Sequence, residues 1–465
     1  MAELDITSLI QNKKIFRFRD MLSIAWRLSL PSMIAQLSSI VMQYIDAAMV
    51  GSLGADSSAA IGLVASSTWL FGGVLFASIY GFSVQIANSV GAGDSARSRK
   101  VFSMGLRAVA FFSLLLMLLG VSISGILPRL LGADEIICHI SGDYFRIYSL
   151  FIPVSACTYY CGSALQATGN MRIPGILESV MCILDIFYNF LFIFPTRDFV
   201  FGVFHFKIFG LGLGVTGASL GTGMSQLTVA IVLFYYAVNK TDKLKISLMN
   251  FEKFDSKILK KALQISIPTA FEQIVLCGAM VMSTHIVAPL GTISIAANSF
   301  AITAESLCYM PGYGLEGSAT TLVGQCLGAG KNRLAKSFAW ITVCLGMVIM
   351  AVCGFLMYFL CPYIFAFLTP DEAVRAVSIQ ILRIELWAEP LFGLSMIAAG
   401  ALRGASDTLI PSIMTFASIW GVRITLALML VGSYGIVGIW TAMCLELMIR
   451  GIIFAVRLKT IKFQS

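Results

Sequence analysis

ALQATGNMRIP, residues 164–174, returns later in the chain as ALRGASDTLIP, residues 401–411. The two segments lie 237 positions apart (401 − 164), and the same offset links Pro31 to Pro268, Gly91-Ala-Gly93 to Gly328-Ala-Gly330, and VGSLGADSSAA (50–60) to VAPLGTISIAA (287–297). The register holds between these anchors without gaps, so the chain is a duplication. Its first half is residues 1–238 and its second 259–465, joined by the lysine-rich segment 239–258.

Composition says what kind of unit is duplicated. Of 465 residues, 58% are hydrophobic and only 12% charged, and the mean hydropathy is +0.87. That is too apolar for a soluble globular chain. A membrane-spanning helix needs about 20 apolar residues, and such stretches recur at 22–46, 57–83, 101–127, 144–166, 174–195, 211–238, 259–287, 293–318, 337–361, 377–401, 409–431 and 435–456. The expected fold is an all-α integral membrane protein of twelve transmembrane helices in two six-helix repeats. The first stretch lacks the short apolar core and small-residue cleavage site of a signal peptide and reads as a retained helix. The 11 cysteines are scattered through the spans without a C-x-x-C and read as reduced packing residues.

The net charge of +8 is unevenly placed. Lys13, Lys14, Arg17 and Arg19 precede span 1; Arg97, Arg99 and Lys100 follow span 2; Arg172 follows span 4. Span 6 is followed by Lys240, Lys243, Lys245, Lys253, Lys257, Lys260 and Lys261, span 8 by Lys331, Arg333 and Lys336, span 10 by Arg403, and the chain closes with Arg457, Lys459 and Lys462. Odd connections are short and neutral or carry acids such as Asp134, Glu135 and Asp143; Arg197 and Lys207 go the other way. The positive-inside bias therefore predicts a multi-pass protein of the cell membrane with both termini cytoplasmic. The basic surplus is topological and favours anionic lipid head groups; it gives no argument for nucleic acid. With six spans in each half, both halves enter the membrane in the same sense. Two lobes around a central cavity are expected, related by an axis along the membrane normal, as in secondary transporters that work by alternating access.

Taken together, twelve spans, a proline in spans 1 and 7, LG followed by paired alanines after each, GAGD and GAGK after spans 2 and 8, and ALRGASDTLIP between spans 10 and 11 resemble the multidrug and toxic compound extrusion (MATE) transporters. The resemblance covers the whole chain. It implies a secondary antiporter that extrudes organic, often cationic, compounds in exchange for H⁺ or Na⁺, with no cofactor beyond that coupling ion. Partners are then small organic molecules and the lipid bilayer, and a monomer is expected.

Asp46 is the first acid to weigh. A charge at membrane depth costs about 2.5–3.5 kcal/mol on insertion scales, so such residues usually face a cavity and are functional. Gln36, Ser39, Gln43 and Asp46 are spaced by three and four and share one helix face. Asp46 also matches the acidic position that the family carries in its first helix. The alternative is an acid at the membrane boundary, or one fixed by interhelical hydrogen bonds. In span 5, Glu178, Cys182, Asp185 and Asn189 again form one face. Family members carry Asn-x-x-x-Asp here, whereas this chain reads Asp185-Ile-Phe-Tyr-Asn189. Thr222 falls where the family places a helix-six hydroxyl; it is equally a small residue that eases packing. Asp46, Asp185, Asn189 and Thr222 together would supply the several oxygens that Na⁺ needs, whereas one carboxylate suffices for a proton.

In the second half, Glu272 of PTAFEQ matches the position at which one branch of the family has an essential carboxylate in helix seven. Subtracting the offset maps Glu272 onto Ala35, and adding it maps Asp46 onto Ser283, so the acids are not duplicated. The cation-coupling candidates are therefore Asp46, Asp185, Asn189, Thr222 and Glu272. Gln43, Tyr44, Tyr159, Gln273, Asn298, Glu305 and Glu389 are candidates to line the substrate cavity. Where the branch has an acid in helix ten this chain has Phe392, with Glu385, Glu389 and Arg383 nearby. Tyr44, Tyr159, Tyr160, Phe187 and Phe271 are available to stack on a cation.

Two other classes compete. A lipid or lipid-linked oligosaccharide flippase of the same superfamily would share the architecture but needs a cationic cavity, for which only Arg107, Arg146, Arg383, Arg423 and Arg450 are at hand within or near spans. An enzyme needs a convergent nucleophile or metal set. The three histidines, His139, His205 and His285, show no such spacing, and neither H-E-x-x-H nor a Walker A stretch occurs. The expectation is a transporter and no enzyme.

Overall fold

The computed structural model describes residues 6–12, 16–132, 134–201, 204–246 and 255–463. Lys13, Lys14 and Lys253, and residues 247–254 of the lysine-rich connection, lie outside them.

Twelve spans are present among the described residues. Helices 1, 2 and 3 are Phe18–Gly51, Ala55–Gly91 and Ser95–Ile123; helix 4 is in two pieces, Glu135–Leu150 and Ile152–Ala167; helices 5 and 6 are Arg172–Ile193 and Val215–Tyr235. Helices 7, 8 and 9 are Ser256–Val287, Thr292–Gly328 and Asn332–Leu368, and helix 10 is again in two pieces, Glu372–Glu385 and Glu389–Gly404. Helix 11 starts at Leu409, passes through a π-helical stretch at Ile419–Ile424, and gives way to helix 12 at Gly435, whose φ of 57° interrupts the run to Thr460. Among the described residues, eight segments are long and apolar enough to cross a membrane as continuous helices. The breaks in helices 4 and 10 and the fusion of 11 with 12 account for most of the shortfall from twelve.

The two breaks obey the repeat. Each lies just before or at the entry of a proline, Pro153 and Pro390, and 390 − 153 is again 237. A proline donates no hydrogen bond and its ring crowds the preceding turn, so the helix divides there. One element lies outside the helical expectation. Between helices 5 and 6, Pro195–Phe201 pairs antiparallel with Phe204–Leu211 as a hairpin, so helix 6 begins at Val215, beyond the hairpin. Arg197, a cation that goes against the charge bias, stacks over Phe194 at 3.8 Å, a partner that accommodates its charge at this end of the bundle.

The lobes, helices 1–6 and 7–12, meet through helix 1 against helix 8 and helix 2 against helix 7, while helices 2 and 8 cross. The crossing is at the repeated glycines. A Cβ on Gly91 would collide with the backbone of Gln325, and one on Gly328 with the backbone of Asn88. Since 325 − 88 equals 328 − 91, the contact is made twice, once by each repeat. Small residues permit this close approach where lipid gives no hydrophobic drive to helix association. The short helix Ile6–Asn12 lies under the crossing: Gln11 Nε2 donates to the Gly91 carbonyl at 3.1 Å and Lys331 Nζ to the Ile10 carbonyl at 2.5 Å. The glycines at 72–73 and 312–314 lie at close contacts. Helix 1 continues through Pro31, Gly73 receives the Gln273 side chain, and Gly314 lies on the Met33 backbone.

Candidate functional site

Helices 1, 5 and 6 bring the predicted N-terminal residues together. Asn189 is the centre: its Nδ2 donates to Asp46 Oδ1 at 2.8 Å and to Asp185 Oδ2 at 2.9 Å. Both hydrogens of one amide are thus used on two carboxylates from different helices. The other Asp185 oxygen accepts from Ser225 Oγ at 3.3 Å, and the Thr222 hydroxyl lies beside the same carboxyl. Asp185 and Asn189 are fully buried, with Asp46 partly exposed beside them. Asn189 fits because helix 6 offers Gly221, where a Cβ would strike the amide oxygen. That oxygen, Oδ1, is buried without a hydrogen-bond partner. The Asp-x-x-x-Asn order brings both polar side chains to one face one turn apart.

Sequence reading missed two members of this group. Ser225 lies three residues after Thr222 on the same helix face, a spacing that would have found it. Tyr144 of helix 4 faces both aspartates; no local pattern marks it, because it reaches them only through the fold.

The remaining candidates do not join this cluster. Tyr44 donates from its hydroxyl to the Thr303 carbonyl at 2.8 Å and so ties helix 1 to helix 8. Gln43 is exposed on helix 1. Tyr159 packs edge-on against Phe76 with ring centroids 5.8 Å apart, and Asn298 accepts from Trp440 Nε1 at 3.0 Å. Of the aromatic candidates, Tyr160 is a core residue, stacked on Phe102 and donating to the Phe102 carbonyl at 2.9 Å. Phe187 and Phe271 are exposed.

The C-terminal lobe distributes its acids differently. Glu272 accepts from Ser412 Oγ at 3.3 Å and Thr415 Oγ1 at 3.1 Å, both on helix 11. Glu316 pairs with Arg403 at 2.5 Å, and that guanidinium lies over the Tyr80 ring of the other lobe at 4.9 Å. Glu446 of helix 12 takes two arginines: Arg423, through contacts of 2.6 and 3.0 Å, and Arg450 at 3.1 Å, with Ser418 Oγ donating at 2.7 Å. Arg423 sits in the π-helical stretch, whose extra residue turns it toward helix 12. Arg383 stacks on Tyr358 at 4.7 Å and donates to its carbonyl; its partner is thus an aromatic ring. Glu385 and Glu389 are fully buried with no hydrogen-bond partner for either carboxyl, and Glu305 is 7% exposed beside them. Helix 9 makes room with Gly354, against which the Glu389 stem packs. Glu305 and Glu389 are therefore enclosed within the lobe.

The MatE family profile matches residues 31–191 and again residues 268–429. Its two start points differ by 237 (268 − 31), the offset of the internal repeat. The chain belongs to the MatE family. Among curated relatives of this MATE transporter, a protein of Thermotoga maritima described as probable multidrug resistance protein NorM is 28% identical, the alignment covering 94% of this chain and 91% of that one. Two solved structures share the fold. A MOP superfamily transporter from Pyrococcus furiosus superposes with a TM-score of 0.88 at 18% identity, over 99% of this chain and 98% of its own. The Vibrio cholerae MATE transporter VcmN does so with a TM-score of 0.86 at 18% identity, over 95% and 97%. The transporter is accordingly a multi-pass membrane protein with the two-lobed, twelve-helix MATE fold.

Proposed function

We propose that this MATE transporter exports organic, mainly cationic, compounds in exchange for H⁺ or Na⁺, with both termini cytoplasmic and the coupling cation bound at Asp46, Asp185, Asn189 and Thr222. The observation that carries the reading is the single Asn189 amide hydrogen-bonded to both Asp46 and Asp185. Two ionised carboxylates held this close repel, and their partners, an amide and hydroxyls, carry no charge to offset them. A proton on one of them, or Na⁺ seated among the carboxylates and the unpartnered Asn189 Oδ1, relieves the repulsion. The site thus binds one cation and loses it when the lobes rearrange, which is what exchange requires. Asp46, partly exposed, is the side chain that passes the charge between the site and the cleft. Glu272, held by neutral hydroxyls, supplies a second negative charge for a cationic substrate.

The flippase reading is the weaker one. It calls for a cationic cavity, yet Arg423 and Arg450 are both directed at Glu446, and Arg383 at Tyr358. The name of the Thermotoga maritima relative agrees with drug export.

Efflux of a fluorescent organic cation from proteoliposomes, driven in turn by an imposed proton gradient and an imposed Na⁺ gradient, tests the proposal. Transport with one gradient and its loss in Asp46→Asn is the expected result. Absence of transport with either gradient overturns the antiport reading.

A further inference from the structure

The duplication gives every part of this molecule an internal control, and one crevice fails to match its repeat. Between helices 2 and 3 of the first lobe and helix 7 of the second lies an apolar groove of about 460 Å³, walled by Phe82, Met104, Phe111, Leu263 and Ile267, with Arg107 its one charged lining residue. Directly beyond it, toward the basic end of the same three helices, is a second pocket of about 560 Å³. Arg97, Lys100, Lys257 and Lys261 line this one, outnumbering Asp94 and Asp255. Both acids are committed to helix ends: Asp94 accepts from the Arg97 amide at 2.8 Å, and Asp255 from the Lys257 amide at 3.0 Å while pairing with Lys100 at 2.9 Å.

On helix 3 the sequence Arg97, Lys100, Met104, Arg107, Phe111 steps by three and four, so one face changes from basic to apolar as it leaves the pocket and enters the groove. Phe111 and Ile267, both lining the groove, are exposed, as apolar residues of a membrane-spanning helix are where they meet lipid. A basic pocket between transmembrane helices continued by an apolar groove has the charge and shape of an anionic phospholipid standing in its leaflet. In the repeat-related place, 237 positions away, Arg97, Lys100 and Arg107 become Leu334, Ser337 and Cys344, and Lys257 and Lys261 become Asp20 and Ile24. Protein side chains fill that interface: Phe338, fully buried, packs edge-on against Phe16 at 6.2 Å, and Ile24 and Leu28 are buried beside them.

We propose that the crevice between helices 2, 3 and 7 binds one anionic phospholipid, its phosphate in the basic pocket and an acyl chain in the groove, and that this lipid holds the two lobes in the arrangement described above. Because the site uses both lobes, it exists only while helix 7 lies against helices 2 and 3, and a bound lipid favours that state. Placing the lipid in the cytoplasmic leaflet rests on the proposed orientation; the site itself does not.

The test uses the purified full chain in phosphatidylcholine nanodiscs, which have no sidedness, doped with phosphatidylglycerol carrying a photoreactive acyl chain. Labelling is expected on the segments 104–112 and 259–270. Native mass spectrometry is expected to show phosphatidylglycerol retained about tenfold over phosphatidylcholine. That preference is expected to fall below twofold in the combined variant Arg97→Gln, Lys100→Gln, Lys261→Gln, and retention to drop in Leu263→Trp, which fills the groove and leaves the charges. Melting curves confirm that each variant is folded, and the wild-type labelling map stands without any variant. Labelling elsewhere, equal retention of the two lipids, or displacement of the phospholipid by glycerol 1-phosphate at equal concentration would overturn the proposal, the last by reducing the site to a head-group anion pocket.

Discussion

The two lobes share a backbone plan and treat buried charge in opposite ways. In the first, Asp46 and Asp185 are held by an amide and hydroxyls. In the second, Glu316 is held by Arg403, and Glu446 by Arg423 and Arg450. An acid paired with arginine carries its compensation permanently, since the guanidinium stays protonated at any physiological pH. An acid held by neutral partners must find its compensation in something that comes and goes. The same fold therefore supports a fixed ionic skeleton in one half and, on the proposed reading, the site of an exchangeable cation in the other. Glu272, Glu305, Glu385 and Glu389 depart from the contrast: they lie in the lobe of the arginines, yet Glu272 is held by the hydroxyls of Ser412 and Thr415, and Glu385 and Glu389 have no hydrogen-bond partner.

The largest effect that would break this contrast is on transport. Asp46→Asn is expected to reduce gradient-driven efflux by at least tenfold while leaving the melting temperature close to wild type, and Ser283→Asp, which puts an acid at the repeat-related position, is expected not to restore it in the double variant. Vesicle efflux and thermal melting read both halves of the prediction. In the arginine-rich lobe the pattern reverses. Glu446→Gln strands the buried Arg450 and the half-buried Arg423, and breaking a buried pair costs about 3–5 kcal/mol, so a clear drop in thermal stability is expected. A melting curve indistinguishable from wild type would refute the skeletal role.

Between these lies the interface. Gly91→Ala and Gly328→Ala each force a methyl into the partner helix's backbone at the crossing. Overpacking of this kind costs about 1–3 kcal/mol, and the repeat symmetry predicts similar losses from the two substitutions, measurable as matched shifts in melting temperature. The smallest effect is expected at Glu389→Gln. The amide keeps the size and shape of the carboxyl, which has no hydrogen-bond partner to lose, so stability is expected to change by less than about 1 kcal/mol. Transport is expected to persist, in contrast to Asp46→Asn; abolition of efflux by Glu389→Gln would move the exchangeable site into the second lobe.

Much of the fold was legible because membrane helices advertise themselves by length and hydropathy, and because one offset relates so many anchors. The offset also predicted a feature that the crossing makes physical, the paired glycines at 91 and 328. Helix breaks at Pro153 and Pro390 were legible in principle by the same subtraction, but hydropathy alone runs through them. The hairpin of Pro195–Phe201 with Phe204–Leu211 falls in the connection between the stretches 174–195 and 211–238, to which hydropathy assigns no structure. At the site, helical spacing put Asp185 and Asn189 on one face, whereas the amide bridge to Asp46 depends on how helix 5 lies against helix 1. The partners of the arginines were half legible: Glu446 and Arg450 stand four apart on one helix, while Arg423 reaches Glu446 through a π-helical turn that no residue pattern announced.

The central claim is that a coupling cation held at Asp46, Asp185, Asn189 and Thr222 is exchanged for the substrate. It is tested most directly by counting protons or Na⁺ released when tetraphenylphosphonium binds the purified transporter, by calorimetry in buffers of different ionisation enthalpy and with a Na⁺-selective electrode. The account predicts about one cation released per substrate in wild type and in Glu389→Gln, and none in Asp46→Asn, since binding of one ligand alters another only through a site that both bias. Undiminished release from Asp46→Asn would contradict it.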